Sequence, residues 1–166
     1  MVEKHDPKGM RKGLTRYGDD AFALFLRKSF IKGAGYGDDA LDRLVIGIAD
    51  TSSDFNPCHG NSQELISQVR AGVLAAGGLP MAFPTISLHE SFAHPTSMYL
   101  RNLMAMDTEE MLKSLPVDAV VLVGGCDKTV PAQVMGALSA NIPFVQLVTG
   151  PMSTCLLYTS PSPRDS

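Results

Sequence analysis

The sequence predicts an α/β fold of βαβ units around a mainly parallel sheet, on three observations. Ala119–Val123 is a continuous, mostly β-branched apolar run, the composition of a strand covered on both faces. Runs of this kind alternate along the chain with stretches that carry a helical apolar stripe. Their carboxyl ends open into polar or glycine-rich loops, which is where open α/β sheets place their ligands.

Residues 1–43 hold nine of the fourteen basic and seven of the seventeen acidic residues, and glycines interrupt them repeatedly. They read as an amino-terminal arm packed on a domain or a partner rather than as part of a core, with a solvated extension as the plain alternative. Within them Ala21–Phe30 can form a short helix with Phe22, Phe25, Leu26 and Phe30 as its apolar face. Leu44–Ala49 is the first core strand, followed by the polar loop Asp50–Gly60. Asn61 with Glu64 has the form of a capping box for a helix striped by Leu65, Ile66, Val69 and Val73. Gly77-Gly78 ends that helix, and Met81–Leu88 is extended. Ser97–Met104 begins another helix, and Asp107 with Glu110 resembles a second capping box over Thr108–Leu115. Pro116 stops it ahead of the strand at 119–123. Pro131 suits the first turn of a helix whose buried side is Val134, Met135 and Leu138, and Asn141 suits its left-handed end. Ile142–Val148 is the fourth strand. The α/β region therefore spans 44–152. The tail 153–166 has no periodicity and resembles a translated adapter sequence, so it is expected to be non-native, and Cys155 within it carries no functional weight.

The composition narrows the function. With 45% hydrophobic and 19% charged residues the chain reads as a soluble globular protein, and a net charge of −3 argues against nucleic acid as a partner. No apolar run reaches the length of a membrane span and no signal-peptide core follows Met1, so the expected location is cytoplasmic. Three cysteines do not make a secreted disulfide framework.

Chemistry concentrates at three loops. Cys58 follows Asn56-Pro57 after the first strand, and Cys126 follows Gly124-Gly125 after the third. Each alone reads either as a small buried residue or as a thiolate ligand. Asp127 and Lys128 stand beside Cys126, and Glu90 at the end of the second strand can bring another carboxylate to the same edge. Oxygen donors suit Mg²⁺, thiolates suit iron or zinc, and the plain alternative for Asp127–Lys128 is a surface ion pair. His89-Glu90 with His94 has one residue too many for a zinc-protease HExxH pattern, and Gly124–Thr129 lacks the spacing of a phosphate loop.

Four motifs, SDFNPCHGN (53–61), PTISLHES (84–91), LVGGCDKTVPAQVMGA (122–137) and VTGPM (148–152), together resemble the amino-terminal part of the dihydroxy-acid and sugar-acid dehydratases, the family that includes phosphogluconate dehydratase. The likeness runs from about Arg11 to Met152, and Tyr-Gly-Asp at 17–19 points to the sugar-acid branch. The resemblance implies an incomplete amino-terminal domain of a larger hydro-lyase that converts an aldonate to a 2-keto-3-deoxy acid. It implies that Cys58 and Cys126 are two of three cysteine ligands of an iron–sulfur cluster, 2Fe-2S rather than 4Fe-4S. It further implies Mg²⁺ held by Glu90, Asp127 and a carbamylated Lys128, with His59 and the Ser87–Ser91 loop lining the substrate pocket. The family's third cysteine, a further glutamate ligand and the serine base fall beyond residue 152, so the chain is expected to be a fragment inactive by itself. Its partners are expected to be a small-molecule hydroxy acid and, in the full-length parent, further copies in a homo-oligomer. A branched-chain 2,3-dihydroxy-acid dehydratase is the alternative substrate reading, and a non-catalytic flavodoxin-like binding domain with structural cysteines is the alternative of another class.

Overall fold

The computed structural model describes residues 7–14 and 18–150; Tyr17, Pro151, Met152 and the tail from 153 onward lie outside the described residues. Four strands, β1 (Val45–Asp50), β2 (Leu79–Pro84), β3 (Ala119–Gly124) and β4 (Phe144–Val148), form one sheet in the order β2-β1-β3-β4. Every neighbouring pair is parallel, with Ile48 opposite both Ala82 and Val121, and Val121 opposite Val145. The helices are α1 (Asp20–Gly33), α2 (Ser62–Ala75), α3 (Ser97–Ser114) and α4 (Thr129–Ala140). The chain moves outward from β1 to β2 and then crosses back to β3. The loops after β1 and β3 therefore diverge and leave a crevice between them, the usual ligand position in such sheets.

The side-chain alternation of a strand divides the core in two. Val45 and Ala49 of β1, with Val120 and Leu122 of β3, face a cluster containing Leu112 at the end of α3, Val117 and Ala137. Met10, Ile31, Ala40 and Leu41, all within the first 43 residues, are buried in that same cluster. Ile48 and Val123 point the other way, onto Ile66 and Val69 of α2. The amino-terminal segment is also tied by polar contacts. The Asp118 carboxylate accepts from the backbone N–H of Gly9 and of Val45, at 2.9 and 2.8 Å. Arg27 donates to the carbonyls of Met10, Lys12 and Gly13 at 2.6–2.8 Å.

Four local expectations change. Helix α1 forms, with the Asp19 side chain accepting from Phe22 N–H, but its buried residues are Ala23 and Ile31, whereas Phe22, Phe25 and Phe30 are exposed. Asn61 precedes α2 without capping it, because its side-chain amide donates instead to the Thr149 carbonyl across the sheet end. The region 97–114 is one continuous helix, since nothing between Ser97 and Ser114 breaks it; the Asp107 carboxylate leaves the helix to accept from Ile86 N–H at 2.8 Å. In α4 the buried side is Ala132, Gln133, Gly136 and Ala137, while Met135 and Leu138 are exposed. The cause is the close approach of α3. A Cβ on Gly136 would lie 2.6 Å from the Ala105 carbonyl oxygen, so α4 turns its small residues inward. Asn141 takes the expected left-handed conformation at the end of α4, with φ 54°.

Candidate functional site

The loops following β1, β2 and β3 converge at the carboxyl end of the sheet. Asn56 is fully buried in the β1 loop and donates to the Leu88 carbonyl at 3.1 Å, joining that loop to the one after β2. Thr51 donates its hydroxyl to the Val123 carbonyl at 2.8 Å, joining it to β3.

Cys58 and Cys126 both lie at this end as free thiols, Cys58 half-buried and Cys126 buried. Their loops pack backbone to backbone. Gly125 has no room for a side chain, because a Cβ there would meet the Cys58 carbonyl at 2.9 Å and the Thr149 hydroxyl at 1.8 Å. Thr149, just past β4, donates its hydroxyl to that same Cys58 carbonyl. Burial pushes the Cys126 thiol pKa up, and the nearby Asp127 and Cys58 add to the rise. The backbone N–H of Lys128, at the start of α4, opposes them by favouring the thiolate.

His59 is 1% exposed, so it does not line a pocket as the sequence suggested. Its Nδ1 lies 2.9 Å from the Thr51 carbonyl oxygen and 2.8 Å from the Ser87 hydroxyl, and Nε2 accepts from Cys126 N–H at 3.4 Å. A carbonyl can only accept, so the ring is neutral with its proton on Nδ1. Burial pushes the His59 pKa down, which agrees with that state.

The charged residues gather beside the thiols. Lys128 Nζ is 2.8 Å from Asp127 Oδ2 and 3.7 Å from Glu90 Oε2, with the Lys128 side chain only 14% exposed. Asp127 Oδ1 lies 3.4 Å from Cys126 Sγ. The Asp127 carboxyl is held below its usual range by Lys128, and Lys128 is raised in turn by Asp127. Glu90 Oε2 accepts from the Ser97 hydroxyl and, at 3.0 Å, from Ser97 N–H, so it also closes the amino end of α3. Those Ser97 bonds, aided by Thr96 and Lys128, draw Glu90 down to about 2. Ser87, Leu88 and His89 of the β2 loop line a cleft of about 370 Å³ with Ser53, Phe55 and Phe92.

The sequence singled out Cys58, Glu90, Cys126, Asp127 and Lys128, and all five stand at one end of the sheet. It missed Ser97, Thr149 and Gln133. Gln133 is buried under the β3 tip, donating to the Val123 carbonyl at 3.0 Å and accepting from Gln146 at 3.1 Å. Its signal was available: Gln133 stands one helical turn after Thr129, a polar residue on the side of α4 that must face the strand end. In kind, the donors suit a soft metal at the thiols and a hard cation at the carboxylates. Among the described residues no three His, Cys, Asp or Glu side chains form a metal-holding group by themselves.

Comparison with known proteins places this arrangement. Residues 43–162 match the family described as dihydroxy-acid/6-phosphogluconate dehydratase, N-terminal. An L-arabinonate dehydratase of Rhizobium leguminosarum bv. trifolii (strain WSM2304) is 42% identical over 137 residues, 82% of this chain and 24% of the relative. A 6-deoxy-6-sulfo-D-gluconate dehydratase of Pseudomonas putida is 38% identical over 154 residues, 92% of this chain and 27% of the relative. A dihydroxy-acid dehydratase of Clostridium botulinum (strain Eklund 17B / Type B) is 37% identical over 131 residues, 76% and 24%. The chain thus spans about a quarter of the length of the curated relatives it matches. With its thiols and its acid–lysine cluster gathered at one sheet end and the family match covering most of its length, the chain belongs to the dihydroxy-acid/6-phosphogluconate dehydratases and corresponds to their N-terminal part.

Proposed function

We propose that the whole protein is a hydro-lyase that dehydrates a sugar acid to a 2-keto-3-deoxy acid, and that this chain supplies part of its metal-binding machinery. The observation that carries the reading is the convergence of three loops at the carboxyl end of the sheet: the Cys58 loop packs on Gly125 beside Cys126, and Lys128 pairs with Asp127 and Glu90. Cys58 and Cys126 would hold an iron–sulfur cluster of the 2Fe-2S type; Glu90, Asp127 and carbamylated Lys128 would hold Mg²⁺. The donor types fit both groups, and the remaining ligands would come from the longer polypeptide. Bound there, the metals would supply Lewis acidity toward the leaving hydroxyl and toward the enolate left by deprotonation next to the carboxylate.

This chain's residues prepare that site. The Lys128 N–H supports charge on the Cys126 sulfur, and Gly125 lets the two cysteine loops touch. As an ammonium, Lys128 offsets one of the two carboxylate charges of Asp127 and Glu90 and would repel a cation. Addition of carbon dioxide to its free amine, with loss of a proton, converts it to an anionic oxygen donor. The sugar-acid substrate draws support from the relatives named for L-arabinonate and sulfogluconate; a branched-chain dihydroxy acid is the second reading, supported by the relative named for that activity. The whole protein would work in the cytoplasm as a homo-oligomer.

The test is the native-length protein purified without oxygen. It is expected to contain iron and sulfide, to absorb in the visible and to release keto acid from one of a panel of aldonic acids. A folded, colourless, iron-free protein would sink the cluster assignment. Lys128→Ala is expected to abolish dehydration while leaving the visible spectrum intact, and unchanged turnover would refute its role as a ligand.

A further inference from the structure

His59 is buried and is taken up by neither proposed metal group, yet it bridges all three loops of the site. We propose that His59 is a positioning residue that holds the Cys126 main chain through Nε2, so that the two thiols keep a set spacing before anything binds between them. The ring is fixed at both ends. Nδ1–H points at the Thr51 carbonyl and the Ser87 hydroxyl, which leaves the Nε2 lone pair as the sole acceptor the ring can offer to Cys126 N–H. His59 also follows Cys58 directly in the chain, so the brace runs from the loop of one cysteine to the backbone of the other. Cys58 is held separately, by the Thr149 hydroxyl on its carbonyl and by Gly125 packed against that same carbonyl. Together the two cross-loop bonds leave little freedom in the separation of the loops, and they need no bound group to do so.

The inference rests on the proposed function only in treating the thiols as a working pair, and its test uses no iron. In the full chain carrying Cys155→Ser, dibromobimane reports the pair, because it fluoresces strongly once both of its arms are displaced by thiols. Glutamine places an amide oxygen near the Nε2 position, whereas asparagine reaches only as far as Nδ1. His59→Gln is therefore expected to keep the bridging rate within about twofold of the parent. His59→Asn is expected to slow it about fivefold, the factor set by losing one backbone hydrogen bond of ordinary net strength. Equal rates in the two variants, whether both retained or both lost, would overturn the proposal, since a purely structural histidine would not distinguish them. A second measurement needs no variant that must fold: long-range proton–nitrogen spectra of the unaltered chain are expected to show His59 neutral with its proton on Nδ1. A proton on Nε2 would remove the acceptor from Cys126 and end the idea.

Discussion

The thiol half of the site and the oxygen half are held by different forces. Around Cys58 and Cys126 the main chain is held by the His59 ring, the Thr149 hydroxyl and a glycine with no space beside it, and Asp127 approaches the Cys126 sulfur at 3.4 Å. Around Glu90, Asp127 and Lys128 the contacts are between charges, with the Asp127 side chain 72% and the Glu90 side chain 48% exposed. Hydrogen bonds among buried groups keep their geometry whatever the ionic conditions, while exposed ion pairs are screened and cost side-chain entropy to hold. The first half is built as a rigid seat. The second is a set of partly exposed charges held by their mutual attraction.

The widest separation between the halves is expected from Gly125→Ala. Its Cβ meets a β-branched hydroxyl and a backbone carbonyl, so denaturant unfolding is expected to show a loss of about 3 kcal/mol, the upper end for overpacking. A loss below about 0.5 kcal/mol would mean that the thiol seat is loose. Thr149→Val keeps the shape and removes only the hydroxyl from the Cys58 carbonyl; a loss of about 1 kcal/mol is expected in the same measurement. Lys128→Met breaks the ion cluster on the other side, and its thermal unfolding midpoint is expected to match that of the parent chain; a clear drop would show that the charges brace the fold after all.

The smallest effect is a titration. Glu90 is drawn from 4.5 to about 2, chiefly by the Ser97 hydroxyl. A carboxyl lowered in the folded state adds stability that is present above its unfolded value and lost as pH falls through the folded one. The loss therefore lies between about pH 4.5 and about pH 2. Carbon-detected titration of Glu90 is expected to follow that lowered value, and Ser97→Ala is expected to move it back up. An unmoved midpoint in the variant would assign the shift to Thr96 and Lys128 instead.

What was legible in the sequence follows the same division. Ala119–Gly124 was readable because a strand covered on both faces needs apolar residues at every position, and that is a local property. Asn141 was readable because few residues tolerate a left-handed conformation. The five chemical residues were readable as types in loops after strands. The buried side of α4 was not, because the three larger apolar residues named for it lost to a contact between Gly136 and α3, and such a pairing is invisible in either segment alone. Asn61 and Asp107 misled for a related reason. Each has the composition of a helix cap, and each spends its side chain on a backbone group more than twenty residues away, Thr149 and Ile86 respectively.

The contact at Gly136 reaches further than packing. It clamps α3 against α4 near Ala105, Thr108 and Glu109, while the starts of both helices point at the site, Ser97 under Glu90 and Thr129 beside Lys128. At 1.5 Å per residue, the clamp lies about 10 Å from the start of α4 and about 12 to 18 Å from that of α3. The two helices thus share one tight contact at a glycine, and each begins beside a carboxylate of the site, α3 at Glu90 and α4 after Asp127. A side chain at Gly136 would push the two helices apart and so be felt at both of their starts, although Gly136 itself sits more than a helical turn from either.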